Sequence, residues 1–275
     1  MTLVMLNGKL EPAERAMVPA LDRGLTHGLG LYETLKLIGG VPAFFDEHLT
    51  RLEKGLAALG MEDGVGRREL ADQIVRLSRA DQVPDGACRV LVTAGPPRGQ
   101  PTVLVQVEVR EFPQRPLALI SYRSLRSAAD LKAKTFTTSH LAQQAAVAAG
   151  ADDALFVDEQ GQAHEATTAN LFLCRDGGLF TPPMDGSILP GVVRARMIQL
   201  AQAARLPMTE QHILVADLRP TDMLLLTSSV RGIVAAASVD GAPLCVDEAL
   251  LGSLRGLLAE AEAESAARFR DTYGL

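Results

Sequence analysis

A hairpin signal in the second half of the chain constrains the fold most. Two apolar runs, 170-NLFLC and 178-GLFTPP, flank a turn at Asp176-Gly177-Gly178. Asp-Gly between strand-forming residues favours a tight turn, because the central positions must accept positive φ. A helical pattern, VVRARMIQLAQAAR, then follows Gly191. The segment therefore predicts two antiparallel strands that lead into a helix.

Strand and helix patterns alternate along the rest of the chain. Apolar residues recur every three or four positions in FDEHLTRLEKGLAAL, which is typical of an amphipathic helix. The stretch LYETLKLI alternates with period two before a Gly-Gly turn, as a half-buried strand does. The predicted strands are 4–6, 31–38, 88–95, 102–109, 117–122, 154–158, 223–229 and 233–241, and the predicted helices are 45–59, 68–80, 139–149 and a C-terminal helix from residue 247.

This order of elements predicts an α/β (α+β) fold of two domains. The stretch 111-EFPQRP is a plausible connector, so we expect a small N-terminal domain at 1–113 and a larger C-terminal domain at 117–275. A single α+β domain is the alternative.

Composition narrows the class of partner. The 275 residues include 27 basic and 33 acidic side chains, a net charge of −6, which disfavours nucleic acid. No window is long and apolar enough for a membrane span, and no secretory signal begins the chain. Cys88, Cys174 and Cys245 are odd in number and lack CxxC spacing. We therefore expect a soluble cytoplasmic protein with reduced thiols and no metal site.

Three features of the second half could bind a small anionic ligand. Glu165 precedes a strongly apolar strand, so it is either a surface loop residue or a buried carboxylate that holds a protonated ring nitrogen. Gly191 precedes a helix, whose free N–H groups favour an anion, although many helices begin this way. The hydroxyls of 227-TSS end an apolar strand and suit either phosphate or an ordinary polar turn.

Four basic residues in the first half of the chain complete the pattern. Arg51 and His48 lie three residues apart on a predicted helix and share one face. Arg51 is either solvated or clamps a phosphate, and His48 suits a hydrogen-bonded structural role. Lys132 and Lys134 would point to one side of an extended segment that precedes an alanine-rich helix.

The order of these pieces resembles the class IV aminotransferases, the fold-type IV pyridoxal-phosphate enzymes. The matching pieces are Arg in EHLxRL, a lysine, Glu in xEAxxxNLF, LPGxxR and a hydroxyl cluster. The stretch TPPMDGSILPGVVR is especially specific, and the resemblance extends from about residue 22 to residue 241. It implies a two-domain fold with the cofactor in the cleft between the domains, and a homodimer.

The resemblance also implies roles for individual residues. Pyridoxal 5'-phosphate is an electron sink whose aldehyde binds a lysine and whose ring nitrogen works best protonated. Glu165 would hold the ring nitrogen, Leu189 would pack on the ring face, and Tyr32 would line the site. The phosphate would be bound by Arg51, the backbone of Val192 and Val193, and Ser228 or Ser229. Family members often have threonine where Val193 stands, so that side-chain contact would be absent here.

Spacing within the family pattern favours Lys132 over Lys134. The pattern K-x-x-N-Y-L-x-x-x-L-A-x-x-E-A-x-x-x-G fits 141-LA, Ala146 and Gly150 without a gap when it begins at Lys132. A start at Lys134 requires a two-residue deletion before the helix. We therefore expect Lys132 to bind the cofactor and to move protons, with Lys134 as the alternative.

Three activities of the family compete. The chain length suits a D-amino-acid aminotransferase or aminodeoxychorismate lyase, whereas branched-chain aminotransferases are usually longer. Thr34, on the same strand face as Tyr32, favours the lyase, although threonine also simply favours strands. The expected reaction releases pyruvate from 4-amino-4-deoxychorismate to give 4-aminobenzoate for folate biosynthesis; the alternative is a branched-chain or D-amino-acid aminotransferase. The small amino substrate carries carboxylate, for which Arg89, Arg98 and Arg110 are equal candidates.

Two other classes of function stay open at this point. The chain could be a family member that binds a ligand without turnover, or a two-domain scaffold without a cofactor. The first requires that neither Lys132 nor Lys134 reacts with the cofactor. A yellow protein that bleaches with borohydride would exclude both.

Overall fold

Two separate sheets divide the chain into two units. This computed structural model describes residues 2–112, 115–124, 129, 131–133 and 136–275. The first unit comprises residues 1–111, 131–135 and 260–275, and the second comprises 112–130 and 136–259. These units differ from the domain ranges expected from sequence: the first stretch ends at 111 instead of 113, and residues 131–135 and 260–275 belong to the first unit.

The first unit is an antiparallel sheet of six strands with two long helices packed against it. Its strand order is β2-β1-β6-β5-β3-β4. The strands are β1 (Leu3–Leu6), β2 (Lys9–Pro12), β3 (Gly30–Ile38), β4 (Val41–Pro42), β5 (Gly86–Thr93) and β6 (Thr102–Glu108), and the helices are α1 (Arg23–Thr26), α2 (Phe45–Ala58) and α3 (Arg67–Ala80), with a 3-10 helix at Ala13–Arg15.

Strand β3 shows why this unit has one apolar face. Leu31, Leu35 and Leu37 point inward and are buried, whereas the alternate residues Tyr32 and Thr34 are only half-buried. The leucines of helix α2 recur at helical spacing and pack on the inward face of the sheet. The predicted period-two strand and amphipathic helix are therefore confirmed.

The second unit contains a ten-stranded mixed sheet. Its main order is β12-β11-β10-β14-β15-β7-β8-β9-β13, and β16 pairs with β15. The strands are β7 (Leu117–Arg123), β8 (Asp153–Val157), β9 (Gln162–Ala166), β10 (Asn170–Arg175), β11 (Gly178–Thr181), β12 (Met208–Glu210), β13 (Ile213–Leu214), β14 (Met223–Ser228), β15 (Gly232–Val239) and β16 (Ala242–Pro243), and the helices are α4 (Thr137–Ala148) and α5 (Val192–Ala203), with a 3-10 helix at Val215–Asp217. The last helix, α6 (Glu248–Tyr273), begins in the second unit and belongs to the first unit from residue 260 onward.

One additional pairing closes six of these strands into a ring. Strand β10 pairs with β14, and it also pairs with β9 through a single residue pair, Asn170 and Glu165. The ring therefore runs β10-β14-β15-β7-β8-β9 and returns to β10. Its apolar core includes Leu155, Leu171 and Leu226.

The hairpin and the helix predicted from sequence are confirmed. Strands β10 and β11 are antiparallel around a turn in which Asp176 has φ 50° and Gly177 has φ 77°. Helix α5 begins directly after Gly191. Strand β9 was not predicted, because its polar composition, QAHEA, resembles a loop. The short strands β2, β4, β12, β13 and β16 were not predicted either.

No helix among the described residues is long and apolar enough to cross a bilayer.

The end of α6 supplies aromatic residues to the first unit. The Phe269 ring lies 5.1 Å from Phe45 and 4.9 Å from Tyr273 between centroids, and Phe269 is buried. Because a buried phenylalanine contributes both apolar area and close packing, Phe269→Ala should lower the free energy of unfolding by about 3–5 kcal/mol. Denaturant unfolding checks this, with the exposed neighbour Arg268→Ala as control. Equal unfolding midpoints for the two variants would contradict the expectation.

Candidate active site

The segment that carries Lys132 pairs with the edge of strand β3. Ala133 forms an antiparallel bridge with Leu31, and the Tyr32 N–H donates to the Lys132 carbonyl at 3.0 Å. Strand β4 pairs only with the far end of β3, so this part of the edge is open to the Lys132 segment. Backbone pairing therefore fixes Lys132 beside Tyr32. Lys134 lies outside the described residues.

Tyr32 is flanked by two cationic side chains. The Lys132 Nζ lies 5.0 Å from the centroid of the Tyr32 ring, and the Arg89 Cζ lies 5.6 Å from the same centroid. Arg89 is directly opposite Thr34 in the β3–β5 register. The structure thus brings together the predicted residues Lys132, Tyr32 and Thr34, and it adds Arg89 from the three candidate arginines. Both cations are within range of a favourable interaction with the aromatic face.

A buried ionic cluster lies on the opposite face of β3. The Glu33 carboxylate accepts from Arg51 through Nε at 2.8 Å and Nη2 at 2.5 Å, and it lies 2.6 Å from the His48 Nδ1. Glu33 and His48 are fully buried, and the Arg51 side chain is 12% exposed. An ionised carboxylate only accepts hydrogen bonds, so Nδ1 is assigned as the protonated nitrogen of His48. His48 and Arg51 share one helix face, as predicted.

The charges in this cluster are set by burial and by its partners. Burial by itself raises the pKa of Glu33. The Arg51 charge and the hydrogen bonds from His48 and Arg51 lower it by more, so that the net pKa is about 2. Burial lowers the pKa of His48, Glu33 partly offsets this, and the charges of Arg51 and Lys132 lower it again. Glu33 is therefore ionised and His48 neutral near pH 7, and the Lys132 amine is close enough to act on His48.

Sequence reasoning missed Glu33. It occupies an inward position of an alternating strand, between Leu31 and Leu35, where an apolar residue is expected. A carboxylate at an inward-facing position requires a cationic partner, because burying an unpaired charge costs much free energy. The pattern therefore contained the signal, and the partner is Arg51, for which the sequence analysis considered only solvent or a phosphate.

Glu33→Gln should show a pH-dependent loss of stability. The pKa of Glu33 is lower in the folded chain than its ordinary value of 4.5, so its ionisation stabilises the fold above about pH 5, and this contribution disappears as the pH falls toward 2. The shift corresponds to about 3 kcal/mol at pH 7. Urea unfolding of the wild type and of Glu33→Gln between pH 7 and pH 3 measures the difference in their free energies of unfolding, which should become smaller in acid.

The exposed Glu62→Gln in the same unit is the matched control for that series. A gap between wild type and Glu33→Gln that stays constant across the pH range would contradict the assignment of an ionised buried carboxylate.

In the second unit, three polar residues lie side by side on one face of the sheet. Glu165 is opposite Asn170, and Asn170 is opposite Thr227. Residues opposite each other in antiparallel strands share a face, so the three side chains form a row across β9, β10 and β14. All three are buried, although each carries a polar side chain. The loop placement considered for Glu165 is therefore wrong: strand β9 holds it in a buried position.

The turn before α5 is bonded to this row. The Leu189 N–H donates to the Glu165 Oε2 at 3.1 Å. The Asn170 Nδ2 donates to the Leu189 carbonyl at 3.0 Å and to the Glu165 Oε2 at 3.3 Å. Leu189 is itself buried. The structure thus places the predicted residues Glu165 and Leu189 together, and Asn170, which the sequence analysis noted only as part of a motif, connects them.

The first turn of α5 presents backbone N–H groups. Gly191 is the N-cap, and no side chain among the described residues caps this helix. Val192 and Val193 are its first two residues, and both side chains are buried, so their backbone rather than their side chains would meet a ligand. A helix start without a side-chain acceptor favours an anion.

Hydroxyl groups lie at the end of strand β14. Ser228 is the last residue of the strand, Ser229 begins the turn to β15, and both are half-buried. The Thr227 Oγ1 is buried and has no hydrogen-bond partner among the described residues. A buried hydroxyl without a partner is uncommon in folded proteins. This unit therefore retains hydrogen-bonding capacity beside Glu165 and Asn170.

These groups suit the parts of pyridoxal phosphate. The first unit carries an amine, Lys132, for the aldehyde, and a guanidinium, Arg51, for phosphate. The second unit carries a buried carboxylate, Glu165, for the ring nitrogen, with N–H groups and hydroxyls for phosphate. Within the described residues, no group of three or more His, Cys, Asp or Glu could hold a metal ion. The donor set fits the cofactor predicted from sequence.

The chain belongs to the family described as Amino-transferase class IV, which it matches over residues 30–239. Membership makes it a pyridoxal-phosphate-dependent enzyme of the lyase or aminotransferase type. The fold class and the cofactor predicted from sequence are therefore confirmed.

Known relatives carry three different activities in their names. A Methanocaldococcus jannaschii protein, provisionally named a branched-chain-amino-acid aminotransferase, is 30% identical over 86% of this chain and 88% of its own. A D-alanine aminotransferase of Bacillus licheniformis is 28% identical over 86% and 88%. Aminodeoxychorismate lyase of Bacillus subtilis is 26% identical over 84% and 85%. Sequence similarity alone therefore does not separate the activities.

Solved structures share the fold over nearly the whole chain. A Legionella pneumophila protein, provisionally named 4-amino-4-deoxychorismate lyase, has a TM-score of 0.85 and 28% identity, and the match covers 91% of this chain and 97% of that one. The branched-chain aminotransferase of the archaeon Thermoproteus uzoniensis, solved with norvaline, has a TM-score of 0.88 at 21% identity and covers 98% and 97%. The latter likeness concerns the fold alone.

Proposed function

We propose that this chain is an aminodeoxychorismate lyase, which converts 4-amino-4-deoxychorismate to 4-aminobenzoate and pyruvate and so serves folate biosynthesis. The observation that carries the proposal is the half-buried face of β3 and β5. There, Thr34 is opposite Arg89 in the strand register, and the Arg89 guanidinium shares the Tyr32 ring with the Lys132 amine. A proton donor, a carboxylate binder and a base are the groups that this elimination requires.

The residues of the first unit would act on the substrate. The Lys132 amine would hold the cofactor at its aldehyde carbon and would then take the proton from the substrate carbon that bears the amino group. The Thr34 hydroxyl would give a proton to the departing pyruvate fragment. Arg89 would bind a substrate carboxylate, since a guanidinium matches a carboxylate with two parallel hydrogen bonds. Tyr32 would line the site and keep the two cations apart.

The remaining residues would hold the cofactor. Bound pyridoxal phosphate supplies an electron sink for the carbon that loses its proton. Glu165 would keep the proton on the ring nitrogen, and Leu189 would pack on the ring face. The phosphate would be bound by Arg51, by the N–H groups of Val192 and Val193, and by Ser228 and Ser229.

Transamination of branched-chain or D-amino acids is the second candidate. Two relatives named as aminotransferases are 28% and 30% identical, slightly more than the named lyase at 26%. Both reactions begin with removal of the same α-proton by the lysine. They diverge according to whether a proton is delivered to the leaving fragment, which is the role proposed for Thr34.

We also propose that the chain acts as a homodimer in the cytoplasm. The first unit exposes Met17, Leu21 and Leu25 to between 66% and 85%, an apolar surface that a second copy would cover. The three cysteines are free thiols, as in a reducing compartment. Light scattering of the purified protein tests the dimer: a monomeric mass would contradict it.

Substitution of Thr34 tests the lyase assignment directly. Thr34→Val keeps the shape of the side chain and removes the hydroxyl, so 4-aminobenzoate formation should fall by roughly 100-fold or more, as when a proton donor is lost. Thr34→Ser should retain most of the rate. The assay supplies 4-amino-4-deoxychorismate and measures 4-aminobenzoate and pyruvate. A parallel reaction with 2-oxoglutarate and branched-chain L- or D-amino acids measures glutamate.

Wild-type protein that forms glutamate quickly and no 4-aminobenzoate would establish the aminotransferase instead. The cofactor and the lysine assignments would survive that result, since both reactions use them.

The lysine assignment has its own test. Borohydride treatment of the holoenzyme should attach the pyridoxyl group to the peptide that contains Lys132, and mass spectrometry should place the added mass on that residue. Lys132→Ala should lose both the label and the yellow colour, whereas Lys134→Ala should keep them. A label on Lys134 would overturn the choice and leave the family assignment unaffected.

A further inference from the structure

The Asn170 side chain has a single orientation that satisfies its neighbours. The Leu189 carbonyl and the Glu165 carboxylate both accept hydrogen bonds, so the donating Nδ2 must face them. The Oδ1 then points toward Gly191, where a Cβ would overlap it. Asn170 is therefore bonded on one side to the ring-nitrogen carboxylate and is in contact on the other with the start of α5.

This contact explains the glycine at position 191. Gly191 has φ −67° and ψ 131°, a conformation that any residue adopts, so the backbone does not require glycine there. The space for a side chain is occupied by Asn170 Oδ1, and the Arg194 Cβ would lie 3.2 Å from an added Cβ. Glycine at the N-cap of α5 is thus a consequence of packing against Asn170.

The hydrogen bonds form a closed set of three groups. Glu165 Oε2 accepts from both Asn170 and the Leu189 N–H, while the Leu189 carbonyl accepts from Asn170. All three residues are buried, with exposures of 3% to 7%, so water competes little for these bonds. Movement of the turn at Leu189 would therefore move the Glu165 carboxylate, and the reverse holds as well.

We propose that Asn170 is a positioning residue that holds the Glu165 carboxylate and the first turn of α5 at a fixed separation. This inference rests on the proposed contacts of Glu165 with the ring nitrogen and of the α5 N–H groups with the phosphate. The two contacts are made by one rigid ligand, so the protein groups must match its length. Asn170 sets that length through its contacts with Glu165, Leu189 and Gly191.

Three ligands separate the two contacts. The full-length chain, stripped of cofactor, is titrated with pyridoxal phosphate, with pyridoxal, which lacks the phosphate, and with 1-deazapyridoxal phosphate, which lacks the ring nitrogen. The affinity for pyridoxal phosphate divided by that for pyridoxal, here called the phosphate ratio, reports the phosphate contact. The affinity for pyridoxal phosphate divided by that for the deaza compound, here called the nitrogen ratio, reports the contact with the ring nitrogen. General destabilisation of the protein would lower all three affinities together and leave both ratios unchanged.

The variants are chosen to isolate the Asn170–Gly191 contact. Gly191→Ala should lower the phosphate ratio by about tenfold or more, equivalent to about 1.4 kcal/mol. Asn170→Ala should lower both ratios. In the double variant, Gly191→Ala should cause no further loss, because the overlapping oxygen is gone. Asn170→Ser, which is too short to reach Leu189, replaces Asn170→Ala if that variant does not fold.

Thr181→Val is the matched control. It removes the buried hydrogen bond of 2.7 Å that Thr181 Oγ1, on β11, donates to the Leu171 carbonyl on β10. Leu171 is the residue next to Asn170 in the chain. It should lower the thermal midpoint and leave both ratios unchanged. The proposal is overturned if Asn170→Ala changes neither ratio, or if Gly191→Ala costs as much in the Asn170→Ala background as in wild type. Failure of the wild type to bind pyridoxal phosphate would overturn the proposed function as well.

Discussion

The pairing of Asn170 with Glu165 is the interaction on which the second unit most depends. It closes the ring of six strands, and it does so with one residue pair instead of a long ladder. The same two residues carry the hydrogen bonds that hold Leu189 ahead of α5. Closure of the sheet and placement of the helix therefore share a single buried polar node. A buried polar group is costly unless it is hydrogen-bonded, and here Glu165 Oε2, Asn170 Nδ2 and the Leu189 backbone are hydrogen-bonded to one another.

The first unit also buries polar groups, and there they form an ionic cluster. Strand β3 presents opposite chemistry on its two faces: Glu33 is inside, bound to Arg51 and His48, while Tyr32 and Thr34 face outward with Arg89 and Lys132 nearby. The inner cluster fixes the guanidinium plane through two bonds and so removes much of the rotational freedom of a long side chain. One nine-residue strand thus supports both the cation proposed for the phosphate and the residues proposed for the substrate.

Local patterns in the sequence were enough to predict most of the fold. The alternating strand β3, the amphipathic helix α2 and the hairpin at Asp176-Gly177 follow from short-range preferences, and the structure has all three. Strand β9 was missed because QAHEA owes its conformation to the strands beside it, and pairing between distant segments leaves no local signal. Resemblance to a family identified Glu165, Leu189 and Lys132 as candidates. Glu33 and Asn170 were not identified from the sequence, because their roles depend on the side chains and backbone groups that they contact in the fold.

The division of the chain has a consequence for its synthesis. The first unit takes its core from three stretches: the first 111 residues, the short segment that contains Lys132, and residues 260–275, which contribute Ala266, Phe269 and Tyr273. A ribosome makes those last residues only after the whole of the second unit. The amino-terminal part of the polypeptide therefore cannot complete its core while it emerges, whereas all of the second unit is already translated. The core of the first unit is therefore completed only after the whole of the second unit has been translated.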